Sequence, residues 1–331
     1  MTSRARNASA VALAAILLAV PAPARPETPD DQSGLQPLLN RGGKELRFDW
    51  PVLSIGTGEY AEGPTGVTVF RFARKVTAVL DVRGEPVAVN TEFLRLGREN
   101  PVIDAIVLSG GSSYGLESTT ALNTAIKDDH LRTGVLGDVG LVSGAIIYDL
   151  GDRRLNEVYP DKRLAQAAFR AAQPGVFRMG SAGAGRMAMT GFSVDCRTHS
   201  GQGAAFQQMG DVKIAAFTVV NAFGLVTDRA GRVQVPCNVP GLKGLSTAEV
   251  LAKIRAQPSG GPARTLPSGN TTISLVVVNQ KLSYADLQRL ATQVHTSMAR
   301  GLQPYATSYD GDILFAVSTN EVELPKDARK Q

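Results

Sequence analysis

Cysteine and histidine are scarce in this chain. Two cysteines, Cys196 and Cys237, among 331 residues rule out a disulfide-built scaffold, and their spacing matches no zinc pattern. We read them as two separate thiols, although an exported chain would tolerate a pairing between them. Only three histidines, His130, His199 and His295, are available as catalytic bases. Runs of lysine or arginine are missing and aromatics make up 6%, so the footprint of a nucleic-acid binder is absent. Beyond the first 24 residues there is no apolar stretch of about 20, the length a membrane-spanning helix needs. Nor does any carboxylate cluster bring a third or fourth oxygen into metal-ligand spacing, so no metal is expected.

The first 24 residues read as a signal peptide. Arg4 and Arg6 supply a basic start, Ala10 to Val20 is apolar, and Ala22-Pro23-Ala24 offers small residues for cleavage. Export to the periplasm or medium follows as an expectation. Without Arg4 and Arg6 the formal charge of +5 falls to about +3. Residues 25–45, rich in Pro, Asp and Gln, read as a flexible leader. Residues 46–325 are long enough for one substantial domain.

Within that domain, β-branched runs separated by turn residues predict strands at Val67 to Phe72, Lys75 to Val82, Ile103 to Leu108 and Ala145 to Leu150. Val212 to Val220, Thr272 to Val278 and Ile313 to Val317 are the strongest of the set. Apolar spacing predicts helices over Leu116 to Lys127, Asp161 to Ala172 and Ala248 to Arg255. A longer helix is expected over Ser283 to Arg300, capped by Ser283, ended by Gly301, with Leu287, Leu290, Val294 and Met298 along one face. Strands that are apolar throughout imply sheets covered on both sides, hence a layered α/β or α+β architecture. Pro236 to Ser268 reads as a mobile connector.

That connector ends at Ser268-Gly269-Asn270-Thr271-Thr272, where a turn delivers a threonine to the start of a buried strand. If the Asn270–Thr271 bond is cut, Thr271 gains an α-amino group of pKa about 7.7–8.0 beside its own hydroxyl. Such an amine can serve as the base that activates the hydroxyl for attack on a carbonyl. A turn that merely precedes a strand accounts for the same residues.

Other constellations compete or assist. Gly111-Ser112-Ser113-Tyr114-Gly115, between a strand and a helix, fits the nucleophile elbow of an α/β-hydrolase esterase, with Ser113 as nucleophile. It also fits a plain Gly-rich turn, and a binding protein whose turns shape a ligand cleft is a third reading. Asp310-Gly311-Asp312 sets two carboxylates two residues apart, so both could face one site and hold an ammonium or hydroxyl. Asn221, at the end of a buried strand, could donate to a developing oxyanion. Tyr148 carries a hydroxyl that needs a partner when buried. Gly180 to Gly185 lacks the dinucleotide-binding order and suggests tight backbone packing, so no cofactor is expected.

Together these segments resemble a known family. Phe48-Asp49-Trp50-Pro51, Glu62-Gly63-Pro64-Thr65-Gly66, Gly110 to Gly115, Ile147-Tyr148-Asp149 and Gly180 to Gly185 are similar to the self-processing β-aminopeptidase and D-aminopeptidase/amidase group. Tyr159-Pro160-Asp161-Lys162, Gly201 to Phe206, Asp228 to Gly231, Gly269 to Ser274, Gln293-Val294-His295 and Asp310 to Asp312 resemble its nylon-oligomer branch, the endo-acting 6-aminohexanoate oligomer hydrolases. The resemblance spans about Leu46 to Pro325. It implies an α+β fold, a four-layer αββα sandwich like that of N-terminal nucleophile hydrolases. It implies a precursor cut at Asn270–Thr271 into fragments 25–270 and 271–331, and a homo-oligomer, commonly a tetramer. Carried over by position, Thr271 is the nucleophile, Asp310 and Asp312 orient its amine and hydroxyl, and Asn221 and Tyr148 serve the oxyanion or the substrate. The implied substrates are linear amides: 6-aminohexanoate oligomers, polyamide chains or peptides with a free amino end. One position departs from the pattern. The family's lysine after the Gly-Ala-Gly segment is matched here by Phe192, with Arg186 and His199 as nearby cations.

Overall fold

Nothing between Phe72 and Lys75 breaks a strand: there is neither glycine nor proline. In a computed structural model, which describes residues 32–95, 101–151, 156–194, 197–234, 241–256 and 269–323, the two expected strands are accordingly one. β2 (Thr65–Gly84) follows β1 (Leu53–Tyr60) and runs 20 residues, with a shift of register between Arg71 and Val76. Its first half pairs antiparallel with β1 and with β3 (Val102–Ser109). After α1 (Glu117–Asp128), β4 (Val142–Ile146) pairs parallel with β3, and α2 (Lys162–Arg170) follows. β5 (Gly201–Met209) and β6 (Val212–Asn221) form a hairpin, and α3 (Thr247–Arg255) lies in the expected connector. β7 (Thr271–Gln280), α4 (Tyr284–Ser297) and β8 (Gly311–Val322) complete the chain, and β8 pairs antiparallel with the second half of β2.

Period-2 alternation along these strands generates the layers. Phe70, Phe72, Ala78 and Leu80 of β2 point inward and meet Phe217, Ile273, Leu275 and Phe315 in one apolar cluster between two sheets. The opposite face of the first sheet, with Val67, Val69, Ala105 and Val107, packs on Leu122, Ile126, Leu164 and Phe169 of α1 and α2. The outer face of the second sheet, with Val276, Leu314 and Ala316, packs on Leu287 and Ala291 of α4. Three clusters between four layers make the αββα sandwich that the resemblance implied, and β2 runs through both sheets.

Helix positions follow from caps. Asp161 accepts the amide hydrogen of Leu164 at 2.9 Å while its Oδ1 also accepts the Tyr60 hydroxyl at 2.8 Å, which fixes α2 against β1. Ser283 caps α4 through the Asp286 amide, and a 3₁₀ turn over Met298–Arg300 carries the helix to Gly301. The buried stripe of α4 is Leu287, Ala291 and His295, rotated from the expected Leu287-Leu290-Val294-Met298 face because His295 is held inward by Asp81. Strand β4 ends at Ile146, so Tyr148 stands beyond it rather than within it. Inside the expected leader, Leu38–Leu39 pairs with Gly58 and Glu59, and Asn40 bonds Thr57 and Ala171. The signal peptide, Cys196, and residues 236–240 (with Cys237) and 257–268 of the connector lie outside the described residues.

The inner cluster centres on Phe217, fully buried against Phe70 at 4.9 Å and Phe177 at 5.0 Å between ring centroids. Phe217→Ala is expected to destabilise the fold by roughly 3–5 kcal/mol. Met209→Ala, on an exposed residue of the neighbouring strand β5, should fall within about 0.5 kcal/mol of the parent. Denaturant midpoints of the two variants check this.

Candidate active site

β7 lies between β6 and β8. Its antiparallel ladder with β6 sets Asn221 opposite Thr271. Its parallel ladder with β8 matches Ile273 to Ile313 and continues in step to Val278 and Ser318, and one bridge further back joins Asn270 to Asp310. Thr271 is thereby brought level with Gly311, flanked by the two aspartates. Gly269 makes the turn that starts the strand: its φ is +95°, and a Cβ there would lie 3.0 Å from the Tyr148 ring. All five expected site residues thus meet where the two sheets approach.

Their contacts are specific. The Thr271 hydroxyl donates to the carbonyl oxygen of Asn270 at 2.5 Å, the carbonyl of its own preceding peptide. That oxygen also accepts the Gly311 amide hydrogen at 2.8 Å. Asn221 donates to the carbonyls of Tyr148 at 3.2 Å and Gly269 at 3.3 Å, and accepts from the Met189 amide at 3.1 Å. It therefore ties three separate segments around the turn at 269, one peptide upstream of the bond expected to be cut.

The two carboxylates do not share one task. Asp310 lines the cleft and accepts the Phe223 amide at 3.0 Å and the Thr307 hydroxyl at 2.6 Å. Asp312 accepts the Thr272 amide at 2.6 Å and the Ala306 amide at 3.2 Å. Asp310 precedes β8 and only bridges Asn270, whereas Asp312 lies within the strand. Asp312 shares the outer face of β8 with Leu314 and Ala316, whereas Thr271 shares the inward face of β7 with Ile273 and Leu275. Among the described residues, the hydroxyl of Thr271 is held by Asn270, the Asp312 carboxylate holds the Thr272 amide, and the Asp310 carboxylate holds Phe223 and Thr307. Burial first, and then the charge of Asp310, push the Asp312 carboxyl up to about 7, against the pull of its two amide donors. Behind it, Tyr305 is raised by burial and by the same two carboxylates. Its ring meets His295 edge-on at 5.8 Å, and His295 bonds Asp81 through Nδ1 at 2.8 Å.

The cleft encloses about 170 Å³, and its wall includes Thr271, Tyr148, Ile146, Ser112, Tyr309 and Glu85. Ser112, Tyr309 and Glu85 were not expected, because residues of turns and short irregular segments leave no periodic signal. Tyr309 stacks on Phe223 at 4.9 Å. Asp149, fully buried, accepts the Gly111 amide at 2.7 Å and the Thr65 hydroxyl at 3.2 Å, and so fixes the Gly110–Gly115 turn beside Tyr148.

The esterase arrangement at Ser113 does not form. Ser113 is exposed at the head of α1, His130 follows the far end of that helix, and His295 is on the buried face of α4, bonded to Asp81. Gly183–Gly185 packs tightly, as expected, with Gly183 and Ala184 amides bound by Glu59 and Thr68. Phe192 is buried with the Arg197 guanidinium 5.5 Å above its ring. Arg186 pairs with Glu59 at 3.4 Å, and His199 is exposed on a short strand opposite Met189.

Comparison with known proteins gives the family and the fold. The family described as peptidase family S58 matches residues 49–331. A 6-aminohexanoate-oligomer endohydrolase of Agromyces sp. (strain KY5R) is 42% identical over 298 residues, which is 89% of this chain and 81% of the relative. Among solved structures, a β-aminopeptidase of Burkholderia sp. superposes with a TM-score of 0.57 at 18% identity, covering 86% of this chain and 77% of its own. The L-aminopeptidase D-Ala-esterase/amidase of Ochrobactrum anthropi, described as a variant of the Ntn hydrolase fold, gives 0.57 at 17% identity, with coverages of 81% and 72%. The family match over residues 49–331 and the 42% identity to an amide-cleaving relative fix the assignment: the chain belongs to peptidase family S58 and is a hydrolase acting on amide bonds.

Proposed function

We propose that this protein is a self-processing amidohydrolase whose nucleophile is Thr271, freed as an N-terminal residue by cleavage of the Asn270–Thr271 bond. The observation that carries the reading is the 2.5 Å contact between the Thr271 hydroxyl and the Asn270 carbonyl oxygen, which holds the nucleophile against the bond it is to attack. Once cut, the Thr271 amine takes the proton from its own hydroxyl as that hydroxyl attacks a substrate amide. The leaving amine receives the proton, and water then hydrolyses the ester-linked acyl-enzyme. Similarity to 6-aminohexanoate-oligomer endohydrolases supports linear amide oligomers as substrates, with peptides bearing a free amino end as the neighbouring class. Export after loss of residues 1–24, and assembly of processed protomers into a homo-oligomer, belong to the same proposal.

The purified protein is expected to run on a denaturing gel as two pieces, with mass spectrometry placing the new N-terminus at Thr271. Thr271→Ala should stay whole and inactive, while Thr271→Ser, which keeps the hydroxyl, should still be cut. A single uncut band from fully active protein would sink the proposal.

The position of Asp312 yields a second expectation. Its carboxyl is raised from 3.8 to about 7 in the fold, so its contribution to stability is fully present below about pH 4 and is lost as pH rises through about 7. In the uncut Thr271→Ala background, the melting temperature of Asp312→Asn minus that of its parent should therefore climb between pH 4 and 7. A difference that stays flat across that window contradicts the assigned protonation.

A further inference from the structure

The carbonyl of the bond proposed to be cut has a second hydrogen-bond partner, and that partner is backbone. Because the β7–β8 ladder sets Thr271 level with Gly311, the Gly311 amide hydrogen reaches the Asn270 oxygen at 2.8 Å. The peptide unit that supplies it is anchored from its other side. Its carbonyl, on Asp310, accepts the Glu85 amide hydrogen at 3.2 Å. A row of dipoles therefore runs from Glu85 through the 310–311 peptide to the Asn270 carbonyl, and each polarises the next.

The donor is also fixed in place. A Cβ on Gly311 would lie 2.8 Å from the Glu85 oxygen and 3.0 Å from the Pro86 Cα, so the backbone that follows β2 walls it in. Gly84, with φ +134°, closes the other side: a Cβ there would be 2.1 Å from the Asp310 oxygen. Asn270 and Gly311 are both buried. A rigid N–H aimed at a carbonyl oxygen in a water-poor setting is the arrangement that stabilises negative charge developing on that oxygen. Asn221, whose position suggested this role, donates instead to Gly269 and Tyr148.

We propose that the Gly311 amide is the oxyanion donor of this active site, first for the chain's own cleavage and then for the substrate carbonyl that occupies the same place. The inference rests on the self-cleavage reading. In the first reaction a bond forms between Thr271 Oγ1 and the Asn270 carbonyl carbon, and the carbonyl electron pair moves onto its oxygen, where Gly311 holds it. Collapse breaks the bond from that carbon to the Thr271 nitrogen, which takes up the proton given by the hydroxyl. Water then adds to the resulting ester, releasing the Asn270 carboxylate and restoring the hydroxyl. Withdrawal of Asn270 leaves the Gly311 amide facing the cleft beside the new N-terminus. A substrate amide whose carbonyl oxygen replaces that of Asn270 then meets the same donor, with its acyl portion running between Tyr148 and Tyr309.

The direct experiment replaces the 310–311 amide by an ester, with glycolic acid inserted at position 311 by nonsense suppression in cell-free synthesis of the full chain. This removes the N–H and keeps the shape. Self-cleavage should slow by about 10²–10³-fold, the usual loss for one oxyanion donor. Material that has been cut should show a similar fall in kcat on a 6-aminohexanoate oligomer with KM unchanged. Cleavage of a folded ester chain at the parent rate would overturn the inference. If the ester chain does not fold, the uncut Thr271→Ala protein carrying ¹³C-carbonyl Asn and ¹⁵N-Gly decides the matter. A through-hydrogen-bond coupling between Gly311 N and the Asn270 carbonyl is expected, and its absence overturns the assignment. Failure of the underlying reading looks different: a Thr271→Ala chain that is still cut, or still active, removes the threonine nucleophile whatever the Gly311 result.

Discussion

The parallel pairing of β7 with β8 is the constraint on which the site depends. Parallel strands must be joined by a long crossover, here through α4, so the residues they align are about 40 apart in sequence and have no other reason to meet. Once Ile273 is level with Ile313, the rest is geometry. Asn270 bridges Asp310, Thr271 lies beside Gly311, and Thr272 reaches the Asp312 carboxylate. A slip of one residue would exchange the inner and outer faces of β8 and bury Leu314 and Ala316 on the wrong side. The apolar pattern that builds the core therefore also sets the register of the candidate site. The interior and the site are fixed by one alignment, not two.

That alignment also separates the roles of groups that look alike in sequence. Asp310 and Asp312 are both buried carboxylates bound by backbone amides, yet only Asp310 opens onto the cleft. Asp312 faces the loop after Pro304 and the Tyr305–His295–Asp81 group beneath α4. There Asp81 is pushed up by burial, but the hydrogen bonds of Arg83 and His295 outweigh that and hold it below the usual carboxylate range. Burial in turn holds His295 below the ordinary imidazole value, against the upward pull of Asp81. The strand of Thr271 is thus backed by Asp81, held toward its charged form, and by Asp312, pushed toward its protonated form. These two carboxylates occupy the same layer and differ in the donors available to each.

Much of this was legible in the chain before any coordinates. Strands dense in β-branched residues, such as Thr271–Gln280 and Gly311–Val322, were found to within a few residues, because covered sheets leave long apolar runs. β1 and β5 were missed for the opposite reason: Leu53–Tyr60 and Gly201–Met209 are rich in glycine, alanine and polar residues and carry weak strand signals. Two expected strands merged into β2 because the register shift at Arg71–Val76 bends the pairing without ending the strand. The motifs of Thr271, Asp310, Asp312, Asn221 and Tyr148 stand out in the sequence and the fold brings them together, but the direction of the Asp312 side chain needs the register. The Gly311 amide had no signal at all, since a backbone donor is the same in every residue. His295 looked like one more polar position on an amphipathic helix, and only Asp81, 214 residues away, reveals why it is buried.

The 20 residues of β2 have a further consequence. β7 and β8, the two strands that follow the Asn270–Thr271 bond, are not at an edge. They are hydrogen-bonded to β6 on one side and to β2 on the other, both of which precede that bond in the chain. A break there leaves a continuous sheet with one missing link, and the pieces can part only by unzipping ladders in its centre. The same geometry sets an order of events. Thr271 meets its neighbours only after strands from both ends of the chain have closed around it, so the proposed cleavage would release a nucleophile only in a molecule that has finished folding. Activation by this route is a built-in proof of assembly.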